Sequence, residues 1–368
     1  MLNLFEEDNN DHLPLISEEE LSDEQVLVEL RKIKEELKDQ VVVLGHHYQQ
    51  DDVFQFADVT GDSLKLAQDA ANLEKPYIIF CGVHFMAETT DMLIKDNQKV
   101  ILPDLRAGCS MADMANREQV DNCWEFLQKS TKEKIVPITY INCPATLKSF
   151  VGENGGSICT SSNARPIIEW AFTQGEKLLF FPDQHLGRNT CAEMGISLDE
   201  MVVYNPNMYN GGLTAEQIDK AKVILWYGYC SVHQGFTKAQ VDSLKKDRPE
   251  TTIIVHPECS HDVVKASHDN GSTAYIINKI KEAPAGASFA VGTEINLVNR
   301  LAAQHPDKEI FSLSPYQCLC TTMYRVRPRW LLASFRAIKE DRPINIIQVD
   351  KETTEHSLKA LNKMLELS

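Results

Sequence analysis

The chain has 368 residues, 43% hydrophobic and 24% charged, with 53 acidic against 37 basic side chains and a formal net charge of −16. That length admits two or three domains, and the composition is that of an ordinary folded protein. The acidic balance argues against nucleic acid and anionic membranes as partners, because both call for basic surfaces. Small anions remain open to it, since backbone amides and helix ends bind them locally whatever the overall sign.

The N-terminus reads M-L-N-L-F-E-E-D-N-N-D, without the basic start of a secretory signal. No apolar run approaches a membrane span. A cytoplasmic protein is expected. Residues 1–40 form an acidic extension. From Ser17 to Lys38, Leu21, Val28, Leu30, Ile33 and Leu37 recur at helical spacing, and Ser17 with Glu20 resembles a capping box. An amphipathic helix packed on the body is predicted, its acidic face simply solvated.

From residue 41 a pattern repeats. Unit one (41–124) opens with V-V-V-L-G-H-H-Y, unit two (125–248) with I-T-Y-I-N-C-P, and unit three (249–340) with I-I-V-H-P-E-C. Each opening run ends in polar groups and is followed by a turn and a helix start: G-D-S-L-K-L-A, C-T-S-S-N-A-R-P and N-G-S-T-A-Y-I-I. A second apolar run follows, then a third that leads to a cysteine: Cys109, Cys230 or Cys320. Short β-branched runs alternating with helical stretches predict parallel sheets with helical crossovers, in the order β-α-β-α-β three times. The predicted fold is α/β: three repeated three-layer αβα units with parallel sheets, arranged with pseudo-threefold symmetry around a central cluster. Unit two carries extra length around Val151–Ser157 and Asn205–Leu213, both of loop composition. Residues 341–368 add a strand (344–349) and a last helix (353–367) that pack on the body.

Ten cysteines are many for a reducing compartment, where they serve as buried hydrophobes, metal ligands or catalytic thiols. The bland reading, a small buried side chain, applies to Cys81, Cys123, Cys143, Cys159, Cys191 and Cys259. Cys109, Cys230 and Cys320 escape it because they hold matched positions. In parallel α/β sheets reacting groups gather beyond the carboxyl ends of strands. Three units facing one cavity would each offer one thiolate, which leaves one iron of a [4Fe-4S] cluster open to water or substrate. An open iron is a Lewis acid suited to the loss of water. A structural zinc site would use closely spaced C-x-x-C pairs, and none is present. Spacing alone does not choose between Cys318 and Cys320.

Each unit also brings polar groups to its strand end: His46, His47 and Tyr48; Tyr140 and Asn142; His256 and Glu258. A lone strand-end histidine is usually structural, but His46 and His256 occupy equivalent places. His233 follows Cys230 closely. Glu258 is either a buried general base with a tuned pKa or a helix cap. Ser63, Ser161 and Thr273 stand at predicted helix starts, where Ser and Thr commonly cap. Alternatively, three helix ends aim amides and dipoles at a substrate with several anionic groups. Two rivals stay open on these residues alone. One is a hydro-lyase acting on a hydroxy acid through the same kind of cluster; the other is a sensor or scaffold that uses the cluster structurally.

The motifs G-H-H-Y-Q, D-V-T-G-D-S-L, A-G-C-S-M-A-D, Y-I-N-C-P-A, T-S-S-N-A, C-S-V-H, H-P-E-C, G-S-T, G-T-E and C-T-T-M, from Gly45 to Met323, carry a resemblance. The chain resembles the quinolinate synthases, the A proteins of NAD biosynthesis, over nearly its whole length from residue 41, and the acidic extension resembles the family's longer form. The resemblance implies a triangular monomer of three α/β units around one [4Fe-4S] cluster, although the oligomeric state is left open. It implies a transferase-type condensation of iminoaspartate with dihydroxyacetone phosphate, giving quinolinate with loss of phosphate and two waters. A transient contact with the enzyme supplying iminoaspartate would follow. Matching the family's C-x-x-M motif assigns the third ligand to Cys320 and leaves Cys318 spare. The other motifs place His46, Tyr48, Ser63, Tyr140, Asn142, Ser161, His233, His256, Glu258 and Thr273 in the substrate cavity. There the open iron would hold the hydroxyl or a carboxylate of the condensed intermediate. Glu258 would move protons, Tyr48 would donate one to a departing group, and His46, His256, Tyr140 and Asn142 would orient the substrate's anionic groups.

Overall fold

A computed structural model describes residues 20–316 and 319–368. Three sheets carry the chain. The first contains β1 (Val41–His46), β2 (Val59–Gly61), β3 (Tyr77–Cys81) and β4 (Lys99–Ile101). The second contains β5 (Ile135–Tyr140), β6 (Ser157–Cys159), β7 (Lys177–Phe181), β8 (Met201–Tyr204) and β9 (Val223–Trp226). The third contains β10 (Thr252–Val255), β11 (Asp269–Asn270), β12 (Ser288–Gly292) and β13 (Glu309–Ser312). The orders are β4-β3-β1-β2, β6-β5-β7-β9-β8 and β11-β10-β12-β13, with all these pairs parallel. In each sheet the first strand lies between the second and third, and β4, β9 or β13 flanks the third. β14 (Ile346–Ile347) joins the first sheet antiparallel to β4.

The repeat therefore has four strands, not the three expected from the apolar runs. The addition is the short second strand, β2, β6 or β11, only two or three residues long. It has no room to show a period. The central strands are the continuous apolar runs read from the sequence. β1, β5 and β7 are buried along their whole length, as expected where helices cover both faces.

Other boundaries also differ from expectation. The N-terminal helix is Asp23–Glu36, and its capping box is Ser22 with Gln25. The proposed Ser17 cap lies outside the described residues. Val26, Leu30, Ile33 and Leu37 form the buried stripe, whereas Val28 faces water. The Val151–Ser157 segment is not an inserted loop: it ends the helix Ala145–Glu153 and begins β6. Part of unit two's extra length builds the edge strand β8. The last helix, Lys351–Glu366, packs closely on the helix Ala145–Glu153. A Cβ at Gly152 would run into the His356 carbonyl at that contact. The six cysteines read as core residues are all buried. No helix among the described residues is long and apolar enough to cross a membrane.

Candidate active site

One cavity collects every residue singled out as a ligand or substrate contact. Its lining includes Cys109, Cys230 and Cys320 together with His46, Tyr48, Ser63, Tyr140, Asn142, Ser161, His233, His256, Glu258 and Thr273. The topology explains the gathering: these residues sit at, or shortly beyond, the carboxyl ends of strands, where parallel sheets leave room for ligands. Cys318 lies outside the described residues.

The first strands of sheets one and three end alike. The Tyr48 N–H donates to His46 Nδ1 (3.1 Å), and the Glu258 N–H donates to His256 Nδ1 (3.3 Å). Because Nδ1 accepts in both rings, the proton of each neutral imidazole sits on Nε2. Burial drives both rings toward the neutral form, their pKa values falling to about 3. Each ring can thus present one neutral donor to a ligand.

The second strands lead to the three hydroxyls. Ser63 and Thr273 are first residues of the helices Ser63–Ala70 and Thr273–Glu282, but Asp62 and Ser272 supply the caps. The capping role expected of these hydroxyls is therefore taken by their neighbours. Ser161 is not at a helix start; it lies in a turn ahead of the helix Ala164–Gln174. That turn is fixed by Asn163 Oδ1, which accepts from the Thr160 N–H and hydroxyl. Ser162 then donates to Asp62 Oδ2 (3.0 Å), tying the Ser161 turn to the Ser63 helix.

Strands β4, β9 and β13 lead to the thiols through a common local fold. Each cysteine precedes a single 3₁₀ turn: Ala112–Met114, His233–Gly235 or Met323–Arg325. Each carbonyl accepts the N–H four residues on, from Asp113, Gln234 or Tyr324. The backbone N–H three residues on, of Ala112, His233 or Met323, lies near each sulfur. Such donors favour a thiolate and soften the effect of burial, which pushes all three thiols up, Cys109 to about 12. A metal must displace those protons to bind.

At the centre a hydrogen-bonded chain crosses the sheets. Tyr140 donates its hydroxyl to Glu258 Oε1 (2.5 Å), and His233 Nδ1 meets Glu258 Oε2 at 3.0 Å. His233 Nε2 lies 3.2 Å from the Thr293 hydroxyl, which lies 2.9 Å from the Tyr48 hydroxyl. Tyr48 reaches Thr273 Oγ1 at 3.1 Å. An ionised Glu258 only accepts, so in a singly protonated His233 ring Nδ1–H donates to it and Nε2 accepts from Thr293. The chain then runs in one sense, from Thr273 through Tyr48, Thr293 and His233 to Glu258. Burial opposes ionisation of Glu258, yet His233, His256 and Tyr140 outweigh it and hold the carboxyl down, to about 2. That direction weakens Glu258 as a base by itself. Burial, with the Glu258 charge, keeps Tyr48 and Tyr140 protonated.

Among the described residues, the group whose ligand atoms all lie within 4.8 Å of one another is Cys230, His233 and Glu258. The three thiols do not form such a group, so together they would embrace something larger than one ion. Three thiols from three loops, each with an amide at its sulfur, suit a multi-iron cluster. Asn142 Oδ1 is buried without a protein partner. Since buried polar atoms are normally paired, this acceptor suits a ligand's donor group.

Some residues of the site were not singled out as site residues in the sequence, although Thr293 and Glu294 stand in the G-T-E motif. Thr293, buried at the end of β12, completes the hydrogen-bonded chain as one hydroxyl in G-T-E. Glu294 caps the helix Ile295–Gln304 and accepts the Cys320 N–H (3.3 Å), fixing the third cysteine loop. Arg300 reaches across from sheet three to the segment after β1. It pairs with Asp51 (2.7 Å), donates to the carbonyls of His47 and Gln49, and stacks on Phe54. No pattern of spacing marks these residues, because their partners lie far away in the chain.

Fold and site together define an α/β enzyme that brings its reacting groups to one cavity at the carboxyl ends of three sheets. Residues 28–366 match the family model described as "Quinolinate synthetase A protein". The quinolinate synthase of Bacillus anthracis (strain A0248) is 52% identical over 351 residues, covering 94% of each chain. That of Bacillus cereus (strain ATCC 10987 / NRS 248) is 53% identical over 348 residues, again covering 94% of each. The chain belongs to the quinolinate synthase family.

Proposed function

We propose that the chain is a quinolinate synthase of NAD biosynthesis, acting in the cytoplasm. It condenses iminoaspartate with dihydroxyacetone phosphate and closes the pyridine ring, releasing phosphate and two waters. Atoms balance in this reaction with no oxidant or reductant, so the work is condensation, proton movement and elimination. The observation that carries the reading is the convergence of the three repeat cysteines and ten polar side chains on one cavity.

Cys109, Cys230 and Cys320 would hold a [4Fe-4S] cluster, whose open iron supplies Lewis acidity toward a hydroxyl or carboxylate. Around it, the neutral Nε2–H donors of His46 and His256 orient carboxylate or phosphate oxygens. Ser63, Ser161 and Asn142 bind the remaining anionic groups at the helix starts and turn. Tyr48, held protonated, donates to a departing group. Its proton is replaced when the chain turns round, a doubly protonated His233 handing its Nε2 proton to Thr293 and Thr293 handing its own to Tyr48. Glu258 fixes the orientation of His233 and Tyr140. Glu258 and His233 thus act as one proton-moving pair, in place of the single carboxylate base suggested by the sequence.

The test is anaerobic purification with iron and sulfide counts, then assay for quinolinate and phosphate from the two substrates. Cys109→Ser, Cys230→Ser and Cys320→Ser should each lose the cluster, while Cys318→Ser should keep it. One metal per chain without sulfide would instead favour a single ion on Cys230, His233 and Glu258. Turnover of a hydroxy acid with no reaction between the two substrates would favour the hydro-lyase.

A further inference from the structure

The cavity has an electrostatic imbalance. Its lining contains Glu258 and three thiols but, among the described residues, no lysine or arginine. A substrate bearing carboxylates and phosphate would add negative charge to a space that already holds it. Neutral donors orient anions, but burying several like charges without a cation is unfavourable.

Behind the wall, apart from Arg300, which is paired with Asp51, stands a second buried cation. Lys148, in the helix Ala145–Glu153, is fully buried. Its Nζ donates to the Cys143 carbonyl (2.5 Å) and to the Phe85 carbonyl (3.4 Å), and it lies 5.5 Å from the Phe85 ring centre. It makes no ion pair among the described residues. The nearby carboxylate Glu88 instead accepts the Ala145 N–H, capping the same helix. Phe85 lines the cavity, and Cys143, buried just outside it, follows the lining residue Asn142. A fully buried lysine whose ammonium meets only carbonyls and a ring face is rare, because desolvating the charge is costly.

We propose that Lys148 is the counter-ion of the cavity: a positioning residue that joins the Phe85 helix to the Asn142 turn and favours binding of an oxyanion, carboxylate or phosphate, beside Asn142. It acts through the wall rather than by touching the substrate. The inference rests on the reading of the cavity as a site for anionic substrates.

The test uses the metal-loaded protein and two probes, inorganic phosphate and the dicarboxylic acid oxaloacetate. Each is titrated against the thermal midpoint, a readout that needs no turnover, and KM and kcat are measured with the two substrates. For K148M we expect unchanged iron and sulfide, and apparent affinity for at least one probe weaker by about tenfold, the size of one lost charge interaction. KM should rise more than kcat falls. K148R, which keeps the charge, should restore most of the affinity. A folded, metal-loaded K148M with wild-type affinity for both probes overturns the proposal, as does a wild type protected by neither. If K148M is insoluble, K148R decides: near-native probe affinity supports the counter-ion, and a tenfold loss in a folded protein overturns it. If the wild type binds the probes but makes no quinolinate, the proposed reaction fails while the counter-ion stands.

Discussion

Glu258 is fixed on both oxygens, by Tyr140 on one and His233 on the other. Glu258→Gln keeps the shape but replaces an oxygen acceptor with an amide donor, so at least one partner loses its acceptor. Turnover should fall by at least about a hundredfold, in line with loss of a proton-transfer group, while iron, sulfide and visible absorption stay at wild-type levels. Substantial activity in a fully loaded Glu258→Gln protein would remove the pair from the mechanism. Arg300 offers a second test. Arg300→Met strips its bonds to Asp51 and the His47 and Gln49 carbonyls, and stability should drop by about 2 kcal/mol or more in denaturant unfolding. Turnover should fall with it, because His46 and Tyr48 share the loosened segment. Lysine should not rescue, since it lacks the planar fork that meets several acceptors at once. The residues legible from sequence were those with counterparts elsewhere in the chain: His46 with His256, and the cysteines with one another. The roles of Thr293, Glu294, Lys148 and Arg300 were not legible, although G-T-E marks the first two, because each acquires its role from a neighbour that only folding supplies.

Helices and strands follow a similar division. The long buried strands could be read directly, since a continuous apolar run has few other homes in a parallel sheet. The second strands could not, because two or three residues give no period, and their place is set by the ladder they join. Ser22 with Gln25 caps the N-terminal helix, and Ser17, whose spacing to Glu20 satisfies the same local pattern, lies outside the described residues. Gly152 tests packing at this scale. Its missing Cβ lets the helix Ala145–Glu153 lie against the backbone at His356, and a backbone carbonyl cannot swing aside as a side chain can. Gly152→Ala should cost about 1–3 kcal/mol, as overpacking does, seen as a lower denaturant midpoint. Equal stability would show that the two helices can part without penalty.

Across the whole molecule, the buried imidazoles set an acid limit. Burial drives His46 and His256 to about 3, and His47 and His185 to about 4. In an unfolded chain these rings would titrate at the ordinary value, near 6.5. Between those limits the unfolded chain takes up protons that the folded chain refuses, so acid favours unfolding. The stabilisation is fully present above about pH 6.5 and is lost progressively as pH falls toward the folded values. The thermal midpoint should therefore decline from pH 6.5 to pH 4, and replacing His47 or His185 with glutamine should flatten that slope. An unchanged slope in both variants would mean that carboxylates alone set it.

The hydrogen-bonded chain from Thr273 to Glu258 passes through Tyr48, Thr293 and His233, drawing on stretches of polypeptide made at very different times. During synthesis, Tyr48 leaves the ribosome long before Thr273 or Thr293 exists, and the Cys320 loop follows later still. The cavity is consequently completed late, when sheet three has docked. A cell that stalls translation within sheet three would hold a sizeable, partly folded polypeptide with none of the finished chemistry.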